Sequence, residues 1–138
     1  MQKNVSVAER KKTYICFSII FSILFLFLKL LTLGWYTILF IACIPLYLIL
    51  YNIASILTAC IKNKTKADHI RFWILSFSLI LSGLTFCDFG DTGPTVKIIR
   101  FLPDIVLVII CLCSIITCVV LSIISIVFYS KKKKLQNV

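Results

Sequence analysis

A chain of 138 residues that is 61% hydrophobic and 14% charged, with a mean hydropathy of +1.08, departs far from a water-soluble domain, which carries roughly 45–50% apolar and about 25% charged residues. Its length permits several membrane spans and excludes an added soluble domain. The net charge of +10 does not mark a nucleic-acid partner, because the Lys and Arg residues flank long apolar runs instead of gathering on one polar face.

A membrane helix needs about 20 largely apolar residues, and four stretches supply them. None shows strand alternation, and all exceed strand length. The first runs from about Tyr14 to Leu33 behind a basic front. Its apolar run is longer than a signal-peptide core of about 7–15 residues and no A-x-A site follows, so it is expected to remain as an anchor. Lys29, near its far end, is expected to snorkel outward. Only Leu33-Gly34-Trp35 separates it from the second span, which predicts a tight antiparallel hairpin.

The second span runs from Trp35 to about Ile61. Pro45 is expected to kink it. Asn52 is its most polar deep group and reads as an interhelical hydrogen bond, with a pore-lining role in an oligomer as the alternative. The connector 62–71, KNKTKADHIR, holds the single histidine, His69; with Asp68 it reads as a solvated loop pair.

The third span, Phe72 to Cys87, is short. Connector 88–101 follows, with the sequence DFGDTGPTVKIIR over residues 88–100. GDTGP shares part of the GDSGGP stretch around serine-protease nucleophiles, but Thr92 takes the place of the serine and one glycine is missing. His69 would lie on the opposite side of a membrane about 30 Å thick. DFG without a Gly-rich phosphate loop, a partner Lys and a catalytic Asp is not a kinase site. Asp88 and Asp91 are three apart with no following Glu, so they do not make a calcium loop. Gly90, Gly93 and Pro94 supply turn geometry. The exposed Asp88, Phe89 and Asp91 remain the first choice for contact with an external protein.

The fourth span, Leu102 to Tyr129, opens with Pro103 and Asp104, both suited to a helix N-terminus. Cys111, Ser114, Cys118, Ser122 and Ser125 form a stripe of small residues at spacings of three and four. Such faces let helix backbones approach closely in lipid. The stripe is expected to pack within the bundle or to dock another membrane protein. Ser18/Ser22 and Ser78/Ser82 are shorter versions. The seven cysteines contain no C-x-x-C pair, and only Cys87 lies near the outer side, so neither a metal site nor a disulfide framework is expected.

Twelve of the fifteen basic residues fall on one side of this topology: Lys3, Arg10, Lys11 and Lys12, then Lys62, Lys64, Lys66 and Arg71, then Lys131 to Lys134. The positive-inside rule places that side in the cytoplasm. The sequence thus predicts one domain, residues 1–138: an all-α integral membrane protein of four transmembrane helices in a small antiparallel bundle, both termini cytoplasmic, in a bacterial inner membrane. No catalytic, cofactor or metal residues are expected. Function is expected to be non-enzymatic binding of another protein in or at the membrane, as immunity, exclusion or accessory proteins do. That likeness is one of topology alone. A homo-oligomeric channel or transporter is the alternative.

Overall fold

The structure is a computed structural model that describes residues 2–31, 42–61, 64–85, 89–90, 93–94 and 103–136. Four helices carry it: α1 (Gln2–Leu31), α2 (Cys43–Cys60), α3 (Lys66–Thr85) and α4 (Asp104–Gln136). Between α3 and α4, β1 (Phe89–Gly90) pairs antiparallel with β2 (Gly93–Pro94), Phe89 opposite Pro94 and Gly90 opposite Gly93. The expected tight hairpin at Leu33-Gly34-Trp35 lies outside the described residues.

The helices outrun the apolar stretches that predict them. The first begins twelve residues ahead of Tyr14, and α4 continues through the four lysines. Polar, straight-chain residues such as Gln, Lys and Glu are good helix formers, so nothing stops the helix where the apolar run stops. Because α2 begins at Cys43 with Ala42 as its N-cap, Pro45 sits in the first turn, where a missing N–H costs nothing. The expected kink bears on the residues before Ala42, which lie outside the described residues.

Side-chain pairs fix the directions. Ser18 and Ser22 meet Asn52, and Phe25 meets Tyr47, so α1 and α2 are antiparallel. Tyr14 meets Phe72, while Phe25 and Leu28 face Gly83, so α1 and α3 run the same way. Asp68 meets Lys132, and Ser82 meets Cys111, so α3 and α4 are antiparallel. The chain therefore alternates in direction as predicted. The main interfaces, however, are α1 with α2 and α3, and α4 with α2 and α3. Sequential α2 and α3 face each other only across the bundle's diagonal.

Packing inverts the pattern of a water-soluble protein. Ser18, Ser55, Ser76, Ser78, Ser82, Thr85, Ser114, Ser122 and Ser125 are buried, while Phe17, Ile20, Ile23, Leu30, Leu46, Phe77, Ile105, Leu112 and Ile116 are exposed. Large apolar groups on the outside and hydroxyls on the inside suit a bundle whose solvent is hydrocarbon. Three helical segments are long and apolar enough to cross a bilayer: Lys11–Leu31, Cys43–Cys60 and Ile105–Lys132. Charged residues in its first turns and three inward serines leave α3 short of that hydropathy. Together these features make the chain an integral multi-pass membrane protein built on a four-helix bundle.

Lys29 departs from expectation. Its side chain is buried rather than turned outward, with Nζ 5.8 Å from the centroid of the Phe25 ring. Lys29 lies one turn beyond Phe25, on the same buried face of α1.

Gly83 sets the approach of α1 to α3. A Cβ built there would stand 3.1 Å from Phe25 Cδ2 and 3.3 Å from Leu28 Cδ1. Gly83→Leu is expected to wedge this interface and to cost roughly 1–3 kcal/mol, read as a lowered unfolding midpoint in mild detergent; an unchanged midpoint would show that the two helices do not meet there.

Candidate functional site

The helices bring polar groups together in two places: along the bundle interior and at one end. In the interior, Asn52 of α2 reaches α1. Its Nδ2 donates to Ser22 Oγ at 2.9 Å and to Leu48 O at 2.8 Å, and its Oδ1 accepts from Ser18 at 2.9 Å and Ser22 at 3.3 Å. Both amide donors and both oxygen lone pairs are used. Such an amide staples two helices and keeps nothing for a passing solute.

Two tyrosines of α2 do the same toward α3, Tyr51 with Ser76 at 3.0 Å and Tyr47 with Ser82 at 3.3 Å. Several hydroxyls instead bond back to their own helix, as Ser114 does to Ile110 O and Thr58 to Ala54 O. Ser55 and Ser122 are the buried hydroxyls with no hydrogen-bond partner among the described residues.

Cys111, Ser114, Cys118, Ser122 and Ser125 are all buried. Cys118 belongs to the central apolar cluster with Phe25, Tyr51, Leu75 and Leu79, and Cys111 Sγ lies 3.7 Å from Ser82 O. The stripe is occupied by the chain's own α2 and α3. That burial places the stripe within the bundle. Of the other proposed contact residues, Asp88 and Asp91 lie outside the described residues. Phe89 begins β1.

The second cluster was not legible as a site. Asp68, expected to be a solvated loop residue, is 1% exposed. It stands three residues after Thr65 at the start of α3, and the two form a reciprocal cap. Thr65 N–H donates to Asp68 Oδ2 at 2.9 Å, Thr65 Oγ1 donates to the same oxygen at 2.9 Å, and Asp68 N–H reaches Thr65 Oγ1 at 3.4 Å. That oxygen also receives Lys132 Nζ from the far end of α4 at 2.8 Å, while Oδ1 faces Arg71 Nη2 at 3.4 Å. One carboxylate thus caps one helix and ties down the end of another.

His69, half-buried, is also no free loop residue. Its Nδ1 shares a hydrogen bond with the Tyr14 hydroxyl. Tyr14 packs edge-on against Phe72, and Lys64 Nζ sits 4.0 Å above its ring. On the other flank the Arg71 guanidinium lies 4.5 Å from the Phe128 ring centroid. Sequence held two signals for this cluster: the Thr-x-x-Asp spacing at a helix start, and the Asp68/Arg71 pair one turn apart.

Burial raises the Asp68 pKa, but the Lys132 hydrogen bond, the two Thr65 bonds and the Lys132 charge outweigh it and hold the group at about 2. Asp68 is therefore an anion at neutral pH, an acceptor only, with its oxygens already engaged. The His69 Nδ1 is likewise committed, to the Tyr14 hydroxyl. No group of three or more His, Cys, Asp or Glu side chains converges as a metal site among the described residues.

Three outcomes follow from this geometry. Because the folded pKa lies below the unfolded value, the stabilisation from Asp68 is complete above about pH 4 and is lost as the pH falls through about 2. Asp68→Asn at neutral pH is expected to cost about 1–3 kcal/mol and to flatten that acid limb in detergent unfolding curves; a variant with the same acid limb would remove Asp68 from the latch. Asn52→Leu, by contrast, should cost only about 0.5–1.5 kcal/mol, the scale of an interhelical bond in lipid. A much larger loss would show that Asn52 does more than staple α1 to α2.

Comparison with known proteins adds no relative: no family model, no characterised protein and no solved structure matches this chain.

Proposed function

We propose that the chain is a four-span protein of the bacterial inner membrane, termini in the cytoplasm, that acts without catalysis by binding another protein in or at the bilayer. The orientation rests on charge. The N-terminus of α1, the α2–α3 connection and the C-terminus of α4 share one end of the bundle, and that end carries Lys11, Lys12, Lys64, Lys66, Arg71, Lys131 and Lys132. Basic ends are retained in the cytoplasm. The fourth span is α3 beyond its basic first turns, and α1 and α4 flank it on both sides.

The observation that carries the binding reading is the β1–β2 hairpin. Pairing of Phe89 with Pro94 and Gly90 with Gly93 orders these four residues of the α3–α4 connector, which lowers the cost of holding them against a partner. A connector needed only to link two helices requires no ladder. The interior offers no rival surface, because its main polar groups are turned upon one another. The reading as a homo-oligomeric channel or transporter draws no support from Asn52, whose hydrogen-bonding capacity is used within the chain.

The test is capture of the intact chain from its native membrane in gentle detergent, followed by mass spectrometry. A single stoichiometric foreign protein is expected, lost when Asp88, Phe89 and Asp91 are changed together to Ala while membrane insertion is unchanged. Recovery of the same partner with the triple variant would move the contact surface off the hairpin, and a pure homo-oligomer would overturn the reading.

A further inference from the structure

Among the described side chains at the basic end, cations outnumber acids. Asp68 is the one carboxylate among the described side chains, and two cations converge on it. The Lys132 and Arg71 side chains are only 31% and 17% exposed. Lys132 makes the short bond, 2.8 Å to Oδ2, and neutralises the acid; Arg71 keeps a long contact, 3.4 Å to Oδ1. A guanidinium has five donors in a planar fork suited to a phosphate, and this one spends little of that capacity on Asp68.

Its other neighbour is apolar. The guanidinium lies over the Phe128 ring, which is itself exposed on the outer face of α4. A largely desolvated surplus cation therefore borders an exposed ring that belongs to the apolar sheath. A soluble anion would match the cation and leave the ring in contact with water. A ligand with a phosphodiester at one end and hydrocarbon at the other matches both.

We propose that the α3–α4 seam at the basic end is a binding site for the headgroup of an anionic phospholipid. Arg71 is its main phosphate ligand, Lys132 lends the adjacent charge, and Phe128 supports the start of the acyl chains. Asp68 positions both cations, and its carboxylate excludes a second anion from the inner side of the pair. The site is independent of whether the hairpin binds a protein.

The test uses the full chain in neutral detergent, titrated with phosphatidylglycerol or phosphatidylcholine and followed by native mass spectrometry for retained lipid. The wild type is expected to retain the anionic lipid preferentially. Arg71→Gln should weaken that retention about fivefold, the scale of one basic contact at a membrane surface, and Arg71→Lys should recover part of it. Lys131→Gln, a change at an exposed lysine outside the pair, should have little effect.

Equal retention of the two lipids would overturn the proposal. So would an equal loss in Lys131→Gln, which would mean a diffuse basic rim. Competition by inorganic phosphate as strong as by the lipid would assign the site to a free anion and also overturn it. If Arg71→Gln does not fold, Phe128→Ala replaces it: this surface change keeps every charge and should still weaken lipid retention, whereas undiminished retention would overturn the site.

Discussion

The structure depends on one constraint: inside an apolar sheath there is no water, so the chain must satisfy its own polar groups. The helices settle their backbone groups internally. The side chains follow two routes. Thr58, Thr85 and Ser114 bond to carbonyls one turn back on their own helix, which costs no partner and leaves a small, smooth surface for packing. Asn52, Tyr47 and Tyr51 have too much polar capacity for that, and each reaches a hydroxyl on another helix. All three sit on α2, which makes the shortest helix the one that holds α1 and α3 in register.

The same constraint explains why Asp68 is where it is. A buried carboxylate in the middle of the bundle would have to be neutralised or paired at high cost. At the first turn of α3 it meets the positive end of the helix, the Thr65 cap and the lysine that α4 carries past the apolar zone. Its pairing with Lys132 requires α4 to stay helical into the lysine run. The extra turns of α4 are therefore part of the bundle's closure as well as a basic tail.

Much of this was legible in sequence because lipid simplifies the code. Long apolar runs without alternation gave the helices, and spacings of three and four gave the inward faces of α3 and α4. What stayed hidden was set by tertiary neighbours. Nothing local to Lys29 says that it will be buried, and KNKTKADHIR reads as solvated until α4 brings Lys132 back from 64 residues away to meet Asp68. The placement of α2 and α3 on the diagonal follows from which faces are small, a comparison among four helices that no single stretch contains.

On the proposed binding role, the inverted packing also constrains how recognition would work. Between helices in a bilayer there is no hydrophobic gain from leaving the solvent, since lipid tails are as apolar as the Leu and Ile side chains they would replace. A sheath of Phe17, Ile20, Phe77 and Ile116 can add contact area for a partner, but it presents much the same surface to a partner as to lipid. The small residues that would have given close backbone approach are turned inward and spent. Discrimination between a right and a wrong partner therefore falls to the polar ends. At the basic end Lys132 is committed to Asp68, and Arg71 faces it at 3.4 Å at the seam proposed for a lipid headgroup. Under the proposed binding role, the opposite end, where β1 and β2 lie between α3 and α4, is where sequence would encode the choice of a protein partner.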